Sequence, residues 1–138
     1  MKSISMEVRR ERNWEHSLGQ TDTGVSFGKN ILVRMLSIGA LLALVCSLGF
    51  LLYFIRPGSS SSIILHYNVY FGVDLVGVWW QAYALPTLGV IFFLGHLFLA
   101  RRFYLRAERI AAYLMLLSAG MLSFGLLIAS ASIAFINY

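Results

Sequence analysis

Apolar residues run without an Asp, Glu, Lys or Arg through Met35 to Ile55, Leu75 to Ala100 and Ile110 to Tyr138, stretches of 21, 26 and 29 residues. A bilayer hydrocarbon core of about 30 Å is crossed by about 20 helical residues. Each stretch is long enough, and the pattern predicts three transmembrane helices at about 33–55, 78–101 and 110–136. Polar residues mark what lies between. Arg56-Pro57-Gly58 and the serines after it predict a helix stop and a connector opening an outer link over 56–77. The link Arg101 to Arg109 holds no Gly, Pro or Asn, so the second span is expected to continue about one turn past Ala100 and then reverse tightly. The predicted fold is an all-α membrane protein, with spans two and three as an antiparallel hairpin.

Residues 1–30 mix both charge signs with Ser, Thr, Gly and Asn and predict a polar cytoplasmic tail ahead of a three-helix membrane domain at 31–138. Within the tail, Met6, Val8 and Trp14 offer a sparse apolar face that would hold a membrane surface only weakly. The first apolar stretch is too long, and too far from the start, for a removable signal with its apolar core of about 7 to 15 residues, so it reads as a retained span. The one cysteine, Cys46, sits inside it and reads as a packed membrane residue.

Charge placement predicts orientation. Lys2, Arg9, Arg10, Arg12, Lys29 and Arg34 precede span one, and Arg101, Arg102, Arg106 and Arg109 lie between spans two and three; only Arg56 lies in the outer link. Three crossings put ten of the eleven basic residues on one side, which the positive-inside rule makes cytoplasmic, with the C-terminus outside. Tyr53, Phe54, Trp79, Trp80, Phe135 and Tyr138 would then form an outer aromatic belt, with Phe103 and Tyr104 at the inner one. The net charge of +5 is explained by contact of Arg101, Arg102, Arg106 and Arg109 with anionic lipid, each worth about 1 kcal/mol near the surface. Nucleic acid is not needed as a partner. A composition of 59% hydrophobic and 12% charged residues also leaves too little charge to cover a soluble domain.

Small residues predict where helices meet, because helices in lipid associate by close backbone approach. Gly39, Ala43 and Ser47 recur every four residues in span one, and Ser118, Gly125 and Ser132 every seven in span three, with Ala129 alongside. These two faces are expected to meet inside one bundle.

Candidate chemistry concentrates in the outer link, Ile63 to Trp80. His66, Asn68 and Asp74 stand there among apolar neighbours, so their polar atoms need partners from one another or from backbone groups. A His66–Asp74 pair closed by Gly72 and Gly77 would provide them. One reading is that the box folds the link and that Asp74 caps span two; the other is a contact or ion site. His66-Tyr67-Asn68, Asp74, Gly77 and then Pro86 in the next span resemble the His-(Phe/Tyr)-Asn box, Asp, Gly and membrane-entry Pro of a widespread family of bacterial membrane proteins, which includes the immunity and signalling protein of a sporulation-delaying toxin system. The likeness covers residues 65–90. Gly72 is displaced by one position from that family's glycine, and Val73 stands where its Pro precedes the Asp. The chain also resembles short three-span proteins of candidate-phylum bacteria that carry similar HYN and YFG boxes.

The remaining signals are negative. His96 lies about 6 Å from the end of span two by helical rise and is expected to bond a headgroup or a nearby carbonyl. His66 and His96 would lie near opposite faces of the membrane, too far apart to share a haem iron. No span holds a carboxylate for coupled transport, and Pro86 with Gly89 predicts an ordinary kink. No nucleophile elbow, phosphate loop or zinc pair is present, so no catalytic residue, metal or cofactor is expected. Two expectations follow: a structural or accessory protein that binds a membrane-protein partner or itself, and an immunity, sensing or signalling protein whose outer box meets an extracytoplasmic ligand. The expected location is a bacterial plasma membrane.

Overall fold

The protein is described by a computed structural model that covers residues 25–56, 58 and 62–138. The expectations for residues 1–24, Trp14 among them, for Pro57 and for Ser59 to Ser61 lie outside the described residues. A 3-10 turn at Phe27–Lys29 leads into helix α1, Ile31–Phe54. Strands β1, Ile63–Asn68, and β2, Gly72–Gly77, follow, then a short helix α2, Trp79–Ala82, and helices α3, Ala84–Leu105, and α4, Arg109–Ile136. α2 and α3 run on as one apolar segment, so three helical segments, Ile31–Phe54, Trp79–Leu105 and Arg109–Ile136, are long and apolar enough to cross a membrane. This is a mostly helical, multi-pass membrane architecture.

The link between the first and second spans departs from the all-helical expectation. β1 and β2 form an antiparallel two-stranded sheet, pairing Ile63 with Gly77, Ile64 with Val76, Tyr67 with Val73 and Asn68 with Gly72. Its strands are rich in the β-branched and aromatic residues that favour extended backbone. The signal was short: Leu65 to Asn68 and Val73 to Leu75 alternate apolar with polar, but Ile63-Ile64 and Leu75-Val76 interrupt the alternation at the base of the hairpin.

Along the bundle the core divides into three levels. Val33, Ala100, Tyr104, Ala112 and Leu116 pack at the end nearest the α3–α4 turn, Ala40, Leu44, Phe93 and Ala119 in the middle, and Leu51, Ile55, Ile63 and Ala82 beneath the sheet. Each long helix buries residues at alternating steps of four and three: Ala40, Leu44, Ser47 and Leu51 in α1, and Ala112, Leu116, Ala119 and Ser123 in α4. That step is the seam of a left-handed bundle, and its members are mostly small.

The small-residue faces read from sequence therefore need correction. Of the six residues, Ser47 is in the seam; Gly39, Gly125 and Ser132 are exposed, and Ala43 and Ser118 are half-buried. A Cβ added at Gly39 or Gly125 would meet nothing within 4 Å. A strict four-residue row drifts about 40° around a helix at each step, so it leaves the face on which Ala40 and Leu44 lie. Ser118, Gly125 and Ser132 each precede a packed residue, Ala119, Leu126 and Ile133, and one residue is about 100° of rotation. Gly89 faces both other helices: a Cβ there would strike the side-chain ends of Leu44 of α1 and Leu126 of α4 together. Cys46, read as packed, is exposed on the outer face of α1.

Polar side chains fasten both ends of the bundle. At one end Asn30 Oδ1 accepts from the Leu32 and Val33 amides at 3.0 and 3.4 Å and caps α1. Its amide nitrogen donates to the Tyr104 and Tyr113 hydroxyls at 3.2 and 2.8 Å, and Tyr104 donates in turn to the Val25 carbonyl at 2.8 Å. One asparagine thus joins all three long helices. At the other end the Tyr83 hydroxyl donates to the Ile55 carbonyl at 2.7 Å. Tyr83 marks the break between α2 and α3, for which Pro86 is responsible: its ring excludes the carbonyl of the residue four positions earlier, Ala82. The expected kink at Pro86 and Gly89 is thus a break three residues ahead of the proline.

The α3–α4 turn is built without glycine. Ala107 takes a left-handed φ of 63°, while Glu108 N–H donates to the Phe103 carbonyl at 3.0 Å and Ala107 N–H to that of Tyr104 at 3.1 Å. Those two bonds are a Schellman closure with alanine where glycine is preferred. Lys29, Arg34, Arg101, Arg102, Arg106 and Arg109 all belong to this end.

Candidate functional site: the β1–β2 hairpin

The sheet brings the residues singled out in the outer link into one hairpin and gives most of them work in folding it. The register at both ends of the ladder would set His66 opposite Asp74; the pairing shifts locally, so that His66 pairs with Leu75. Across that irregularity His66 Nδ1–H donates to Asp74 Oδ1 at 2.7 Å. The two side chains are 62% and 42% exposed, so their contact is a surface pair worth about 0–1 kcal/mol. Asp74 does not cap the following helix. It sits within β2, and the Val78 amide at the start of α2 donates instead to Gln81 Oε1 at 2.9 Å.

Asn68 and Gly72 close the turn. Asn68 Oδ1 accepts from the Tyr70 amide at 2.9 Å, and Gly72 has a φ of +80°, a conformation side-chain-bearing residues avoid. Gly77, at the far end of β2, lies so close to Leu65 and Gln81 that a Cβ would collide with both. Tyr67 is exposed on β1. Between Asn68 and Gly72 the tip presents Val69, Tyr70 and Phe71, which are 85%, 90% and 85% exposed. The hairpin thus ends in three uncovered apolar side chains.

Its base is fastened by a residue the sequence reading passed over. Asn137, just past α4, donates to the Ile64 carbonyl at 2.7 Å and accepts from the Ile64 amide at 2.8 Å, which imitates a strand partner. It also donates to the Ile133 carbonyl at 2.8 Å. Phe50 and Phe54 of α1 pack against Phe135, with ring centroids 5.9 and 5.4 Å apart, and Phe54 against Tyr138 at 5.4 Å. Asn30 stands just before an apolar run, a helix-start signal that could have marked it. Nothing local in the sequence ties Asn137 to Ile64.

His96 Nδ1–H donates to the Phe92 carbonyl of its own helix at 2.8 Å. Among the described residues no group of three or more His, Cys, Asp or Glu side chains is placed to hold a metal ion. Arg101, Arg102 and Arg106 are exposed around the α3–α4 turn, and Arg109 stacks its guanidinium on the Tyr104 ring, 5.5 Å from the centroid. Comparison with protein-family models, with curated proteins and with solved structures finds no match to this chain.

Proposed function

We propose that this chain is a non-enzymatic integral membrane protein that acts as a structural or accessory partner in a membrane assembly, with the hairpin tip as its contact. The observation that carries the reading is the tip itself, because Val69, Tyr70 and Phe71 stand outside the spans and no part of the bundle covers them. Lipid explains exposed apolar residues on the long helices; aromatic side chains on an exposed turn are what protein interfaces use as anchors. The membrane is a bacterial plasma membrane, the end with the basic residues is cytoplasmic and the C-terminus is outside, which the positive-inside rule supports. α3 and α4 then form an antiparallel hairpin across the bilayer. A second copy of the chain is the alternative to a different membrane protein.

The test is photocrosslinking in whole cells from benzoylphenylalanine placed at Tyr70, with Tyr53, exposed on α1, as a control. A discrete protein adduct from Tyr70 and none from Tyr53 is expected. A folded Tyr70 variant that gives lipid adducts only would refute the reading.

The exposure of the His66–Asp74 pair favours a second reading, an immunity or sensing protein that offers this pair to an extracytoplasmic ligand, in line with the family resemblance of the box. An Asp74→Ala variant separates the two. With unchanged melting it should keep its adduct under the first reading and lose it under the second.

A further inference from the structure

At the basic end of the bundle, the turn at Phe27–Lys29 and the α3–α4 turn border an open groove. Gly28 forms part of one side, and Arg101, Tyr104, Leu105, Arg109 and Ile110 line the rest, with Glu108 the acidic member. Arg102 and Arg106 are not part of the lining, although they lie in the same short link. The surface is amphiphilic, since guanidinium groups stand beside Leu105 and Ile110, which are largely exposed.

The apolar wall does not stop at the groove. Ile110, Leu114, Leu117 and Met121 are all exposed and follow one another along α4 at steps of four, three and four residues. They form one continuous strip on a helix face that points away from the bundle. From Ile110 to Met121 the strip rises about 16 Å, close to half of the hydrocarbon core of about 30 Å. It therefore has the length of one leaflet, with positive charge at the end where it meets the groove.

We propose that this groove binds one anionic phospholipid, its phosphate between Arg101 and Arg109 and an acyl chain along the strip from Ile110 to Met121. Charge complementarity selects the headgroup, and the continuity of the strip with the membrane-facing surface selects a lipid over a soluble anion. The site is narrower than a general attraction of the four arginines for a charged surface, because it separates Arg101 and Arg109 from Arg102 and Arg106. It rests on the membrane-spanning reading and on neither orientation, because a bilayer with the same lipids in both leaflets offers the ligand on each side.

The experiment uses the full chain in nanodiscs of equal parts phosphatidylglycerol and phosphatidylcholine, and native mass spectrometry to count lipids retained after release. Retention of one phosphatidylglycerol in preference to phosphatidylcholine is expected. Arg101→Gln should weaken it about fivefold, the equivalent of about 1 kcal/mol for one basic residue at a membrane surface. Arg102→Gln should change it less than about twofold. Gly28→Leu, which fills the groove without altering charge, should weaken retention as Arg101→Gln does; a Cβ at Gly28 meets nothing within 4 Å. No preference for phosphatidylglycerol overturns the proposal, and so do equal losses from Arg101→Gln and Arg102→Gln with Gly28→Leu inert. Should Gly28→Leu lower the melting temperature, the comparison of the two arginine variants decides alone.

Discussion

Ser47 and Ser130 meet hydroxyl to hydroxyl at 2.7 Å, both fully buried, where α1 crosses α4. Hydrogen bonds between membrane helices average about 0.6 kcal/mol, because a lone hydroxyl in lipid finds another acceptor. On α4 the Ser132 hydroxyl already does so, donating to the Ile128 carbonyl of its own helix at 2.9 Å. Ser47→Ala should therefore cost less than about 1 kcal/mol in a reversible unfolding assay. Ser47→Leu forces added volume into a fully buried part of the seam and should cost about 1–3 kcal/mol or more. Equal effects of the two would mean that the hydroxyl pair, and not close approach, holds this crossing.

Gly89, and not Gly39 or Gly125, should be the intolerant glycine. Gly89→Leu must displace both Leu44 and Leu126 and should prevent the three helices from closing, read as loss of a cooperative melt in detergent. Gly39→Leu and Gly125→Leu should melt like the parent. A large loss at Gly39 or Gly125 would show that their outward faces are packed in the functional assembly.

Ala107 holds a left-handed backbone that costs an L-residue roughly 1 kcal/mol or more, and glycine escapes that cost. Ala107→Gly should raise stability by about 1 kcal/mol, measured as a higher melting temperature with an unchanged helical circular dichroism signal. A lower melting temperature would contradict the Schellman closure of this turn.

Topology is checked by cysteine labelling in a Cys46→Ala background with an impermeant maleimide. Ser62→Cys, beside β1, should react in intact cells, and Ser26→Cys should react only after the membrane is opened. The opposite result would put the basic end outside and reverse the proposed orientation.

The three spans were legible in the chain because length, apolarity and the absence of charge are local properties that a bilayer reads directly. Grouping of Lys29, Arg34, Arg101, Arg102, Arg106 and Arg109 at one end followed from simple counting of crossings, and the meeting of His66 with Asp74 was foreseeable because two polar groups in apolar company must find each other. Which small residues pack was not legible. Gly39 and Ala40, or Ser118 and Ala119, differ by one position and about 100° of rotation, and only the docking of three helices chooses between them. The hairpin was hidden for a related reason: its apolar–polar alternation is broken by Ile63-Ile64 and Leu75-Val76, and Ile64 gains its strand-like partner from Asn137, 73 residues away. The chain by itself determined that three helices are long and apolar enough to cross a membrane and which ends lie together. Tertiary packing decided their rotation, the closeness of Gly89 to both neighbours and the fastening of the hairpin, because those depend on side chains that meet only when distant segments are already in place.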